Sequence, residues 1–190
     1  EFYPELKKKG FQFTTTSDTE VLLYLLMSYD LSVLHRLNGF FAFALWDKEE
    51  RQLLLVKDRY GVKPLFWTET EQGMAFGSEP KSLFPFGLKK SMDETRMDEW
   101  FFYRHVSGPN TLFKGINRFL PGYYQIWKDG VKLEKEERWY HLGEQAVKQS
   151  KISDPKEWYE ETFLDSVRLR MISDVPVGTM LSGGLDSSSI

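Results

Sequence analysis

Phe40-Phe41-Ala42-Phe43-Ala44-Leu45-Trp46 is apolar at every position, so both alternating faces of an extended chain carry apolar side chains. Such a run predicts a strand covered on two sides rather than one with a wet face. Asn38-Gly39 precedes it as a turn signal, and polar turns then separate three more aliphatic or aromatic stretches at 52–57, 65–68 and 74–77. Short strands joined by short turns predict an antiparallel sheet, and its continuous apolar character predicts layers on both faces. The aromatic content (Phe 15, Tyr 9, Trp 6) fits that reading, since large rings suit pleated, half-buried surfaces.

Working outward, Ser17-Asp18-Thr19-Glu20 stands before Val21, Leu22, Leu23, Leu25 and Leu26 with the Ser-x-x-Glu spacing of a capping box, which predicts a helix over 19–29. A helical patch is expected at 97–105. Segments 119–127 and 131–139, split by Asp129-Gly130, carry the strongest hairpin signal. The polar stretch 141–153 has few anchors for a core and is read as a linker and domain boundary. Structure resumes at Asp154-Pro155-Lys156-Glu157, which supplies an N-cap, a Pro at the first helical position and a Glu three residues after the cap. Phe163, Leu164, Val167 and Met171 then share one helical face. The chain opens at Glu1 without an initiator Met and closes at Ile190 just inside a new strand-loop-helix unit, so it reads as an internal segment.

With 190 residues, 41% hydrophobic and 28% charged, the composition is that of ordinary globular protein and argues against disorder, collagen and coiled coil. A net charge of −3 offers no basic field for a phosphate backbone, so nucleic acid is not an expected partner. The apolar runs at 21–27 and 40–46 fall far short of the roughly 18 residues a membrane span needs, and the N-terminus does not read as a signal peptide. The absence of cysteine excludes a disulfide scaffold, a zinc-thiolate site and a thiol nucleophile within this segment. His35, His105 and His141 have no metal-ligand spacing.

The sequence most specific for chemistry is Val175-Pro176-Val177-Gly178-Thr179-Met180-Leu181-Ser182-Gly183-Gly184-Leu185-Asp186-Ser187-Ser188. An apolar segment, 177–181, is expected as a strand running into a loop rich in glycine and hydroxyls. Paired glycines let backbone amides approach an anion, and a following helix start favours negative charge. The lysine of a Walker loop is absent. Asp186 would repel a phosphate unless a cation stands between them, which implies magnesium. The loop resembles the pyrophosphate-binding loop of the ATP pyrophosphatase superfamily, whose members adenylate a carboxyl group.

The remaining blocks narrow the resemblance. Ser-Asp-Thr-Glu-Val (17–21), Leu-Asn-Gly-Phe-Phe-Ala-Phe-Ala-Leu-Trp-Asp (37–47), Lys-Asp-Arg-Tyr-Gly-Val-Lys-Pro-Leu-Phe (57–66), Phe-Gly-Ser-Glu-Pro-Lys-Ser-Leu (76–83) and Ser-Asp-Val-Pro-Val-Gly (173–178) resemble, in that order, glutamine-hydrolysing asparagine synthetase. The resemblance implies an α+β, layered antiparallel Ntn-hydrolase-type (αββα) glutaminase domain over 1–140, its beginning missing. A linker at 141–153 follows, and then the start of an α/β adenine-nucleotide alpha-hydrolase-like domain at 154–190. In such enzymes an N-terminal cysteine releases ammonia from glutamine, and the second domain uses ATP to adenylate aspartate, which the ammonia converts to asparagine. The nucleophile, an arginine loop and the oxyanion-hole Asn-Gly pair are expected before Glu1, so the segment alone is expected to be inactive.

By the same resemblance, Asp18 holds the α-ammonium group of glutamine, although Ser17 and Asp18 are equally good helix caps. Met180 and Leu181 flank the nucleotide, where their side chains alone would read as buried strand. Ser182, Gly183, Gly184, Asp186, Ser187 and Ser188 cradle pyrophosphate, with Asp186 toward Mg2+. Asp58 and Arg59 read as charges fixing a strand end and turn, and Ser78-Glu79 as shaping the domain. Two departures are mild: Gly77 stands where the family usually has Ala, and Phe119-Leu120-Pro121-Gly122 replaces a double-proline turn. The implied partners are glutamine, aspartate and ATP, in a cytoplasmic enzyme for which a homodimer is allowed. Two rivals have other chemistry: a β-lactam synthetase-like enzyme without glutaminase activity, and a non-catalytic scaffold relative.

Overall fold

The computed structural model describes residues 2–71, 73–132, 136–148 and 152–190. They form two compact units, Glu1–His141 and Leu142–Ile190.

The first unit begins with helices α1 (Tyr3–Lys8) and α2 (Asp18–Tyr29), followed by a 3₁₀ segment at Asp30–Arg36. Strands β1 (Ala42–Asp47), β2 (Gln52–Lys57), β3 (Phe66–Thr70) and β4 (Gly73–Gly77) come next. A 3₁₀ segment at Pro80–Phe86 and helix α3 (Met97–Tyr103) lead to β5 (Asn117–Arg118), β6 (Tyr123–Lys128), β7 (Val131–Lys132) and β8 (Glu137–Arg138). Two antiparallel sheets result: one ordered β1-β2-β6-β7 with β8 also paired to β6, and one ordered β4-β3-β5.

Register explains the layering. Phe43 faces Val56, which faces Tyr124, while Leu45 faces Leu54, which faces Ile126. These residues form one face of the first sheet and pack with Leu34 and Trp139, and Phe43 and Leu45 also meet the Leu25, Leu26 and Val33 cluster of the helical layer. Leu55 and Trp127 lie on the opposite face and meet Leu65, Phe119, Trp67 and Met74, which joins the two sheets. Phe119 is fully buried there, worth about 1.5–3 kcal/mol by apolar area. The outer face of the second sheet, with Ala75 and Phe66, packs against Leu83, Phe84 and Ile116. The order is therefore helices, sheet, sheet and a thinner layer built around a 3₁₀ segment.

Several expectations meet the structure directly. Asp129 and Gly130 both have positive φ (50° and 79°), as a two-residue hairpin turn requires, and Lys128 pairs with Val131 across it. The two-sided cover expected for 40–46 is only partly formed. β1 is an edge strand, Phe43 and Leu45 face the helices, and Trp46 is 50% exposed. The capping box is not reciprocal: Ser17 Oγ accepts from the Thr19 amide, but Glu20 turns instead to Thr14 and Thr15. Gly77 has a physical reason here, because a Cβ would collide with Ser82 Oγ, which donates to the Glu79 carbonyl at 2.7 Å.

The second unit contains α4 (Leu142–Lys148), α5 (Pro155–Arg170) and α6 (Leu185–Ser189). Asp154 caps α5, its carboxylate accepting from the Lys156 and Glu157 amides at 3.0 and 3.1 Å. Part of the expected linker, Leu142–Lys148, is thus helical, and residues 149–151 of it lie outside the described residues. The strand expected at 177–181 does not form; Met180 and Leu181 are 94% and 72% exposed rather than buried. A strand of this kind exists only as part of a ladder, and no neighbouring strand is described in this unit.

Candidate functional site

Two cavities of about 490 Å³ border the first turns of α2. One is lined by Thr14, Thr15, Ser17 and Glu20 together with apolar residues of α2 and β1. Its carboxylate is already engaged. Glu20 accepts from the amides and hydroxyls of Thr14 and Thr15 at 2.6–3.0 Å and from Tyr24 Oη at 3.1 Å. The Thr15 hydroxyl, first among these donors, pulls its pKa down to about 2.

The other cavity is the candidate ligand cleft, because it combines an apolar wall with available polar groups. Val21, Leu22, Leu25 and Phe43 supply the wall, while Asp18, Asn38, Lys63 and Ser78 reach it from four separate parts of the chain. Since Ser17 is the residue that caps α2, Asp18 sits in the first helical turn and is exposed. The positive end of the helix favours that charge. Its recorded hydrogen bond is long, from Thr19 Oγ1 at 3.5 Å. An exposed acid and an ammonium-bearing residue, Lys63, lining one cleft suit a small zwitterion.

The cleft is also bounded by Lys63 and Pro64, in the loop that leaves β2. That loop is held from inside: Asp58, 1% exposed, accepts from the amides of Tyr60, Val62 and Lys63 at 3.0–3.1 Å. Beside it Lys57 is buried and donates to the Phe119 carbonyl at 2.9 Å, and desolvation lowers its pKa. Arg59 donates to the His35 carbonyl at 2.7 Å and lies over the Trp139 and Tyr140 rings. Glu79 is an exposed partner of Lys81 and does not line the cleft, whereas Ser78 does. Sequence reasoning missed Lys63, Asn38 and Ser78 as cleft residues; only Asp18 was named, through the family resemblance.

In the second unit, the 182–188 loop is closed on itself by hydroxyls. Ser182 Oγ lies 2.9 Å from Ser187 Oγ, which also accepts from the Ser182 amide at 3.3 Å and donates to the Gly184 carbonyl at 3.2 Å. Gly183 has φ +79° and open space where a Cβ would stand. Asp186 lies in the first turn of α6, and Ser188 follows it there. No cluster of three or more His, Cys, Asp or Glu side chains that could hold a metal ion occurs among the described residues.

Residues 1–140 match the family model described as a glutamine amidotransferase domain. The chain belongs to that family. Residues 159–190 match the asparagine synthase model, so the resemblance read from the ordered motifs is borne out. Glutamine-hydrolysing asparagine synthetase 3 of Bacillus subtilis is 38% identical over 98% of this chain and 30% of its own length. Asparagine synthetase 1 of the same organism is 35% identical over the whole chain and 30% of its own, and amidase chyE of Penicillium rubens 34% over the whole chain and 28% of its own. The chain thus spans about 30% of the length of these relatives. Among solved structures, the glutamine phosphoribosylpyrophosphate amidotransferase of Bacillus subtilis aligns with a TM-score of 0.51 at 22% identity, covering 73% of this chain and 26% of that one. This supports the Ntn-type layered fold for the amidotransferase unit.

Proposed function

We propose that this chain is part of a glutamine-hydrolysing asparagine synthetase, spanning the later part of the glutaminase domain (1–140), a connection at 141–153 and the start of the ATP-dependent domain (154–190). The observation that carries this reading is the cleft, which Asp18 at the start of α2 lines together with Lys63 and Pro64, in a chain matched by both family models. In the cleft, Asp18 holds the α-ammonium group of glutamine by a charge-assisted hydrogen bond, and the apolar wall of Val21, Leu22 and Leu25 limits water access to its methylenes. Fixing the substrate this way sets the amide carbonyl at one place, which is the main contribution a binding residue makes to hydrolysis.

The loop of the second unit fits a phosphate group. The Ser182 and Ser187 hydroxyls, bonded to each other, would turn outward to meet a phosphate together with Ser188 and the backbone at Met180, Leu181 and Gly184, and the open face of Gly183 leaves room for its approach. We assign these residues to ATP and its pyrophosphate, with Asp186 toward the accompanying Mg2+. Bound ATP would supply the leaving group that activates the carboxylate of aspartate. Glutamine, aspartate and ATP are cytoplasmic metabolites, and the reading places the protein there. No helix among the described residues is long and apolar enough to cross a membrane.

Two substitutions in the full-length protein test the assignment together. Asp18→Asn should abolish glutamine-driven synthesis while leaving ammonia-driven synthesis intact, and Asp186→Ala should abolish both while sparing glutamate release. Loss of ammonia-driven synthesis in Asp18→Asn, or undiminished synthesis in Asp186→Ala, refutes the division of roles.

A further inference from the structure

We propose that Asp58 is a positioning residue for glutamine hydrolysis, acting on substrate through the loop it holds rather than by contact. This deepens the glutaminase reading and rests on it. The polar groups of Asp58 reach three segments: Phe41 before β1, the 60–63 loop and Gly122. Its amide donates to the Phe41 carbonyl at 2.8 Å, and Phe41 lines the cleft. Its carbonyl accepts from Gly61 at 3.3 Å and from Gly122 at 2.8 Å. One carboxylate oxygen, Oδ1, accepts from Tyr60 at 3.1 Å and Val62 at 3.0 Å; the other accepts from Lys63 at 3.0 Å.

The consequence concerns Lys63 and Pro64, the two loop residues that line the cleft. A residue preceding proline is confined to extended backbone. Once the Lys63 amide is fixed on Asp58, the direction of the next step is therefore fixed as well. A carboxylate buried to 1% exposure with three amide donors is costly to form and costly to disturb, because no water is present to replace a lost donor. The cleft wall thus has one favoured position before substrate arrives.

Asp58→Asn isolates this role. With its remaining oxygen kept on Tyr60 and Val62, the side-chain amide presents a donor to the Lys63 N–H, so that one contact turns from attractive to repulsive and the wall is released. Substrate then binds only the fraction of molecules whose wall is in place, which raises KM by the inverse of that fraction, while the bound enzyme reacts at its former rate. Glutamate release by the full-length enzyme should show KM for glutamine raised about tenfold with kcat within about twofold. A general folding defect gives the opposite pattern: fewer active molecules, lower apparent kcat and unchanged KM. That pattern, or an unchanged KM, overturns the proposal. Hydrogen exchange read by mass spectrometry on the peptide 57–65 provides a second measurement that needs no folded variant. In the unaltered protein these amides should be protected like the β2 strand, and exchange at the rate of an exposed loop overturns the clamp. If the unaltered enzyme releases no glutamate, the glutaminase reading fails, and the exchange measurement then decides the clamp by itself.

Discussion

Gly61→Ala tests the packing that brings the 58–64 loop against the 119–122 turn, and Gly10→Ala is its internal control. Both glycines have positive φ, +70° and +93°. Alanine in that region costs about 1–2 kcal/mol, offset by about 0.4–1 kcal/mol because the unfolded chain loses freedom. Gly10 has no heavy atom within 4 Å of the added Cβ, so its net cost is on the order of 1 kcal/mol. At Gly61 the added Cβ falls 2.7 Å from Pro121 Cγ and 3.1 Å from Lys57 Cε. Ordinary carbon contacts are roughly 3.5–4.0 Å. The proline ring cannot swing aside, and Lys57 is held by its bond to the Phe119 carbonyl. Relief requires moving backbone, which adds about 1–3 kcal/mol. Urea unfolding of the full-length protein, followed by tryptophan fluorescence, should place the Gly61→Ala midpoint clearly below that of Gly10→Ala with the same slope. Equal midpoints would refute the close approach of the two turns.

Two pH experiments follow from the structure. Glu20, held near pKa 2 against an ordinary 4.5, contributes stability that is full above pH 4.5 and lost as pH falls toward 2; Glu20→Gln should flatten that acid limb of the stability curve, and an unchanged limb contradicts the Thr14-Thr15 clamp. Lys57 is also shifted down, below its ordinary 10.5, but by desolvation that disfavours its charged form, so in the alkaline range the unfolded chain binds more protons and stability rises with pH up to 10.5. Lys57→Met should remove that rise, measured as the difference between urea midpoints at neutral and alkaline pH; a rise that persists in the variant would mean another group carries it.

The helix after Ser17, the strands at 52–57 and 74–77, and the Asp129-Gly130 hairpin were legible because each rests on neighbours in sequence: a cap, an apolar alternation or a turn requiring positive φ. Asp18 was named through the family resemblance; its own segment offered it as a helix cap, a place that Ser17 takes. The cleft was not legible. Asn38, Lys63 and Ser78 are ordinary polar residues in their own segments and meet only because the sheet register and the loop after β2 bring them together. Asp58 lay between these cases. Its place at the end of β2 before a glycine suggested a turn, but nothing local revealed that it would be buried and take three amides. The opposite error occurred at Met180 and Leu181, where apolar residues predicted a buried strand that needs neighbours to exist.

The sequence by itself determined the family, the order of the two functional segments and the chemical character of the 182–188 loop, because those depend on which residues follow one another. The tertiary structure decided which face of each strand is covered, that Asp18 is left accessible by the cap at Ser17, and that a buried aspartate holds the loop whose Lys63 and Pro64 line the cleft. These depend on burial and on contacts between segments far apart in the chain, where the cost of an unpaired polar group is large enough to select one arrangement.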